Sequence, residues 1–207
     1  MLAQSFAWVP SRWARAANNA GGAYPEGLRQ RNTKEIRVIR ILTFVDDIYE
    51  DLELWYPKIR LEEEGWEVVV AGPAAGETYR GKHGYPCASD VAIREVSSEQ
   101  FDALLLPGGF APDKLRRDPD VLRLTREFHT QAKLIAFICH AGWICISAGI
   151  LKGRTATSTV GIRDDMRNAG AEWVDRALAV DAHLLSSRTP KDLAVFAKGM
   201  VDWLRGR

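Results

Sequence analysis

The chain has 207 residues, 46% of them hydrophobic, enough to bury one full core and most simply read as a single domain. Its 28 basic and 27 acidic side chains leave a formal net charge of +1, so charge points to neither a nucleic-acid nor a membrane partner. No apolar run approaches the roughly 20 residues of a membrane span, and Cys87, Cys139 and Cys145 form neither a CxxC pair nor a zinc-like spacing, which favours free thiols in a reducing compartment and a cytoplasmic location.

Residues 1–34 differ from the rest. They carry Arg12, Arg15, Arg29, Arg31 and Lys34 against one acid, Glu26, with Pro and Gly scattered through. No continuous apolar stretch marks a secretory signal; an Arg-rich, acid-poor segment also suits targeting, but the plainer reading is a loosely ordered N-terminal arm. The fold is therefore expected in a single domain over 35–207.

From Glu35 the chain alternates. IRVIRILTF (36–44) is rich in β-branched residues and reads as a strand; DLELWYPKIRLEEEGW (51–66) has apolar positions at helical spacing and stops at Gly65; EVVVAG (67–72) is a second strand, closing a β-α-β unit. Residues 77–96, broken around GKHGYP, suit a hairpin excursion. FDALLLPGG (101–109) is a buried strand ending in a Gly pair, with a helix expected over 118–132. LIAFI (134–138) is the next strand and AGWICISAGIL (141–151) a helix, so Cys139 stands at the corner between them. Short strands and helices follow, and Thr189-Pro190 opens a C-terminal helix, a usual place for proline.

Such alternation implies a mostly parallel sheet with helices on both faces, and sites in such sheets form at the carboxyl ends of strands. Gly108-Gly109, Cys139 and the loop before Glu50 all lie at such ends, so three segments are expected to converge on one rim. A cysteine in the first turn of a helix sees unpaired N–H groups and the positive end of the dipole, which favour thiolate over thiol. A strained strand-turn-helix elbow would push its side chain outward, with Ala141 and Gly142 keeping the corner small. The competing reading is a buried small hydrophobe, the commoner fate of cysteine, and position alone leaves both open.

The segments YEDLELWYP, GKHGY, FDALLLPGG and CHAGWICISAGILKGRTATSTVGIRDDMRNAGAEWVD, in that order, resemble the PfpI family of intracellular protease/amidase-like proteins. That family belongs to the class I glutamine amidotransferase-like superfamily, with deglycases and glutathione-independent glyoxalases. The likeness runs from Ile36 to Leu204 and implies a flavodoxin-like three-layer α/β sandwich with a nucleophile elbow. It further implies that Cys139 is the nucleophile, that His140 is its neighbour, and that Glu50, by the pattern E-D-x-E-x-x-Y-P, supplies the carboxyl that hydrogen-bonds the sulfur. A carboxyl and a thiolate in contact repel, so one of the pair must hold a proton. Outside the family, Glu50 would read as an ordinary acid at a helix N-terminus.

His140, next in sequence to the cysteine, does not easily fold back onto it as a base; its backbone N–H and that of Gly109 would form the oxyanion hole, with Gly108 allowing close approach and with His140 or Glu50 moving the proton. The resemblance also implies a homo-oligomer with the site at a subunit interface, where Asp113 would reach the histidine of another subunit. Against it, an acid at a helix start is common. The sequence departs from the family in a longer TFVDDIYED loop, in Cys-His-Ala-Gly-Trp where C-H-G-P is usual, and in Thr159 where a tyrosine is frequent, which would widen the pocket or make it more polar. Trp143 and Cys145 are expected to pack, His83 to lie on a surface loop, and Cys87 has no assigned role. No metal-ligand spacing is evident and no cofactor is expected.

The resulting expectation is a cysteine-dependent hydrolase or lyase-like enzyme acting on small carbonyl or amide compounds. Peptide or amide hydrolysis, removal of a methylglyoxal adduct from amino groups and hydration of methylglyoxal all remain open. The alternative from another class is a stress-response redox sensor or chaperone-like binding protein using an oxidisable Cys139. A glutamine-amidotransferase domain is disfavoured, since no downstream His-x-Glu pair is apparent.

Overall fold

The computed structural model describes residues 38–206, and the arm expected over 1–34 lies outside them. Strand β1 (Arg40–Phe44) is buried at every position after its first, as a strand covered on both faces must be. Helix α1 (Asp51–Glu63) follows, with Asp51 and Glu53 in its first turn and Pro57 inside it. Proline has no N–H, so the carbonyl of Glu53 loses its intrahelical partner. Next come β2 (Glu67–Gly72) and a hairpin of β3 (Thr78–Arg80) and β4 (Pro86–Ala88), antiparallel with Tyr79 opposite Cys87. Strand β5 (Val91–Ala92) returns to the sheet edge beside β2.

The second half begins with β6 (Ala103–Leu106), α2 (Ala111–Leu115), α3 (Pro119–Thr130), β7 (Leu134–Ile138) and α4 (Gly142–Ala148). It continues through β8 (Thr155–Ala156), α5 (Arg163–Asn168), β9 (Glu172–Trp173), β10 (Ala179–Asp181), β11 (Leu184–Ser187) and α6 (Leu193–Arg205). The sequence reading passes over α2, which starts directly after the Gly pair with Pro112 in its first turn. Helix α4 is shorter than the apolar run suggests because Gly149 ends it in the left-handed conformation, φ 73°. The C-terminal helical segment does open at Pro190, as one 3-10 turn before α6.

Seven strands form the main sheet in the order β10-β11-β7-β6-β1-β2-β5, parallel except for β10. Side chains alternate between its faces. Leu104, Leu106, Ile135 and Phe137 join one core with Val121, Leu124, Phe128 and Ile144 of α3 and α4, while Ala103, Leu105, Leu134 and Ala136 join the other with Phe196, Met200 and Val201 of α6. The product is a three-layer, flavodoxin-like sandwich. From β1 the chain runs outward to β2 and β5, then returns to β6 on the far side of β1. This reversal makes the carboxyl ends of β1, β6 and β7 the switch point where such sheets place their sites. Among the described residues no helix is long and apolar enough to cross a membrane.

Candidate active site

Cys139 leaves the end of β7 with φ 61°, a left-handed conformation that costs a non-glycine residue energy and persists only where its surroundings impose it. Here the strand before it is locked between β6 and β11, and the 3-10 turn Cys139–Ala141 leads straight into α4. The half-buried sulfur receives the backbone N–H groups of His140 and Gly109, so the two donors expected from the sequence converge on it. The His140 ring departs from expectation. It does fold back, with Nδ1 3.3 Å from Cys139 Sγ, because the tight left-handed corner turns the following side chain toward its neighbour. Burial, and secondarily the charge of Lys82, lower the His140 pKa, so the ring is neutral and fit to accept a proton.

The acid beside the sulfur is Glu53, not Glu50. Glu53 is wholly buried, and its Oε2 accepts the Gly108 N–H at 2.8 Å. Its Oε1 has no hydrogen-bond partner, the place for a proton on a carboxyl that faces a thiol. Burial pushes its pKa up to about 8, against the Gly108 N–H and assisted by the charge of Glu50, so Glu53 stays protonated at neutral pH. Cys139 is pushed up to about 12, first by burial and then by Glu53 when that carboxyl is charged. The helix-dipole expectation of a preformed thiolate therefore loses to desolvation, and the neutral imidazole at Sγ becomes the natural proton acceptor.

Glu50 precedes α1 and points the other way, toward Lys82 Nζ at 3.6 Å and His83 Nε2 at 3.7 Å on the loop between β3 and β4. That loop is fixed by Asp51, whose two carboxylate oxygens accept the N–H groups of His83 and Tyr85, each at 2.9 Å. Glu50, Asp51 and His83 bring ligand atoms within 4.8 Å of one another, a grouping that spacing along the chain does not reveal. The Asp51 oxygens are already taken by backbone N–H groups and Glu50 already faces the Lys82 ammonium, so the cluster is satisfied as it stands.

The Gly pair is required by space. A Cβ on Gly108 would stand 2.5 Å from Glu53 Oε2 and 2.7 Å from Cys139 Cβ, between the two groups that must meet. Gly109 has φ 83°, and a Cβ there would stand 2.5 Å from the Ile48 carbonyl oxygen. Gly109 also bridges to Tyr49, and Phe110 N–H donates to Ile48 O at 2.8 Å, so the loop after β1 and the turn after β6 are stitched together.

Asp113 lies in α2 and pairs with Arg117 one turn on. Thr159 reaches the elbow through its backbone, its N–H donating to the Cys139 carbonyl at 3.4 Å. Cys145 is fully buried, and Cys87 is buried in the hairpin with its pKa raised to about 11 by desolvation. Trp143 packs at the margin of the core, with its ring 5.0 Å from His140 and its Nε1 donating to Asp165 Oδ2 at 2.8 Å. Sequence reasoning missed Glu53, Lys82 and the partnership of Trp143 with His140. The signal for Glu53 was the second glutamate of E-D-x-E, which falls inside the first turn of α1 while Glu50 stands before it.

The sequence model of the DJ-1/PfpI family matches residues 39–202. The chain is 46% identical over 167 residues to deglycase PfpI of Pyrococcus furiosus and 47% identical over 167 residues to deglycase TK1284 of Thermococcus kodakarensis, in each case covering 81% of this chain and all of the relative. In three dimensions it is similar to a two-domain protein of Anabaena variabilis containing DJ-1/ThiJ/PfpI-like and ferritin-like domains, with TM-score 0.79 and 39% identity, covering 80% of this chain and 49% of that one. It is also similar to DJ-1beta of Drosophila melanogaster, with TM-score 0.77 and 26% identity over 82% of this chain and 92% of that one. On this sequence match and this fold, the chain belongs to the DJ-1/PfpI family.

Proposed function

We propose that the protein is a cysteine-dependent deglycase, removing glyoxal- or methylglyoxal-derived adducts from amino groups. The observation that carries this reading is the contact of Cys139 Sγ with His140 Nδ1 at 3.3 Å under two converging N–H groups. The deglycase names of relatives that match along their whole length support it. His140 takes the thiol proton as Cys139 bonds to the adduct carbon that carries the amine, and the oxygen on that carbon is held by the N–H groups of Gly109 and His140. The imidazolium gives its proton to the amine as the carbon–nitrogen bond breaks, the hydrogen on that carbon moves as a proton to the neighbouring ketone carbon, and water cleaves the resulting Cys139 thioester to lactate and free thiol. Glu53 keeps its own proton near the sulfur, so no second negative charge opposes the thiolate. For a methylglyoxal adduct the overall change consumes one water: the amine leaves, the former aldehyde carbon ends as a carboxylate, the neighbouring ketone carbon ends as an alcohol, and no external oxidant is needed.

The test is release of lactate and free amine from a methylglyoxal-treated amino acid, with wild type compared against Cys139→Ser and His140→Asn at matched fold. Both products are expected from wild type and neither from Cys139→Ser. Product formation that survives Cys139→Ser refutes the reading. The protonated Glu53 also favours a second reading, a redox sensor, because its O–H can hold an oxidised sulfur. Peroxide oxidation of Cys139 without lactate release would select it. We further propose that the protein works as a homo-oligomer in which Asp113 serves the site of another subunit; activity recovered on mixing Cys139→Ser with Asp113→Ala subunits would support this.

A further inference from the structure

We infer that Trp143, anchored by Asp165, is the positioning residue for the His140 imidazole, an assignment that rests on Cys139 and His140 being the reacting pair. The ring centroids are 5.0 Å apart and the planes are tilted by 47°. The indole is itself held, since Nε1 donates to Asp165 Oδ2 on α5 at 2.8 Å. The Arg116 guanidinium carbon lies 5.8 Å from the Trp143 ring centroid, and Arg116 Nε donates to Ser147 Oγ at 2.8 Å. At the imidazole's other edge, a Cβ built on Gly161 would stand 3.7 Å from Nε2. The ring is therefore bounded by the indole, by the turn before α5 and by the thiol that Nδ1 meets at 3.3 Å.

The need for such a wall follows from the chemistry. A half-turn about the Cβ–Cγ bond would exchange Nδ1 for a carbon and end proton transfer to the sulfur. Enzymes usually fix a histidine by a hydrogen bond from its second nitrogen to a carboxylate. Among the described residues the nearby carboxyls are committed elsewhere: Glu53 faces the sulfur, Glu50 faces Lys82 and His83, Asp113 pairs with Arg117, and Asp165 holds the indole. Within one subunit the indole therefore holds the ring by packing, and a carboxylate brought by another subunit, as proposed for Asp113, would add to that hold. The indole face also favours the imidazolium formed when His140 accepts the thiol proton, against the positive charge of Lys82.

The test compares Trp143→Phe, Trp143→Leu and Asp165→Ala, each checked for native melting. Two readouts are taken: deglycation kinetics, and the rate of Cys139 alkylation by iodoacetamide against pH, which requires no substrate. Trp143→Leu is expected to lower kcat about 10-fold with KM nearly unchanged, the mark of lost alignment rather than lost binding. It should also shift the alkylation profile, with Trp143→Phe restoring most of both. Asp165→Ala, a surface change that removes the acceptor of the indole N–H, should give an intermediate loss and decides the matter if Trp143→Leu does not fold. Alkylation profiles unmoved in both Trp143→Leu and Asp165→Ala overturn the inference, whether or not wild type turns over. If wild type releases no lactate yet the profiles move, the positioning role stands and the proposed reaction falls.

Discussion

The Glu53 carboxyl and the Cys139 thiol face each other across Gly108, a position with no room for a side chain between them. Two acids so placed cannot both ionise cheaply, and the order in which they lose protons governs the reactivity of the sulfur. Replacing Glu53 by Gln removes the charge that raises the thiol, so above pH 8, where wild-type Glu53 is ionised, Cys139 of the variant should alkylate faster than wild type. Turnover above pH 8 should rise with it, while at neutral pH, where wild-type Glu53 is already uncharged, the variant should stay close to wild type. Glu50→Gln should change both far less, since that carboxylate faces Lys82 and His83. Iodoacetamide kinetics beside deglycation rates would separate the two acids; equal effects would remove Glu53 from the proposed chemistry.

The same carboxyl links stability to pH. Its pKa rises from 4.5 in the unfolded chain to about 8 in the fold, so the folded state keeps a proton that the unfolded state releases between those values. Stability from this group is fully present below pH 4.5 and is lost as pH rises toward 8. Relative to wild type, Glu53→Gln should therefore gain on the order of 4 kcal/mol between pH 4.5 and 8, at 1.36 kcal/mol per unit of pKa difference. Denaturant melts at pH 5 and pH 8 measure it, and a difference that does not change with pH refutes the assignment.

Periodicity and family likeness made the sheet, its helices and the place of Cys139, Gly108 and Gly109 legible, because those positions follow from where apolar runs stop. The acid was harder. Residues 50 and 53 both fit an acid at a helix start, and only the direction in which each side chain leaves the helix separates them; Glu53 turns inward over the strand ends and Glu50 toward the hairpin loop. The ease with which His140 meets the sulfur was hidden for a related reason, since the corner it follows has a left-handed φ at Cys139, a torsion that the residue's identity does not announce. The contact of Trp143 with Asp165 joins α4 to α5 across 22 positions and leaves no local pattern.

The Gly pair can be probed separately from the chemistry. Gly109→Ala forces a Cβ against the Ile48 carbonyl at a φ of 83°, so it should destabilise the fold by about 2–3 kcal/mol. Gly108→Ala has no left-handed torsion to oppose it but drives Glu53 and Cys139 apart. Its melting temperature should fall less than that of Gly109→Ala while its turnover falls as far or further. Thermal melts with paired kinetics check the order, and the reverse order would show that Gly108 is a turn residue only.

Thiol accessibility gives an independent check on the elbow. Cys87 and Cys145 are buried and desolvation raises both pKa values, whereas Cys139 is half-exposed at a left-handed corner. Native protein should therefore incorporate one alkyl group, at Cys139, with the other two reacting only on unfolding. Peptide mapping after brief iodoacetamide treatment reads this directly, and labelling of Cys87 ahead of Cys139 would contradict the geometry.

At the opposite end of the sheet, His183 Nε2 and His129 Nδ1 lie 2.9 Å apart, one from the turn between β10 and β11 and the other from the end of α3. A helix C-terminus ordinarily favours a protonated histidine. Burial, with the charge of Arg154 added, overrides that preference and lowers the His129 pKa. A histidine depressed in the fold contributes stability that is present above its unfolded pKa of about 6.5 and is lost as pH falls through the folded value. Wild type should therefore lose melting temperature between pH 7 and pH 5 more steeply than His129→Gln, which keeps a hydrogen-bonding group but cannot titrate. Parallel acid limbs in the two proteins would mean that the pair is not what weakens the fold in acid.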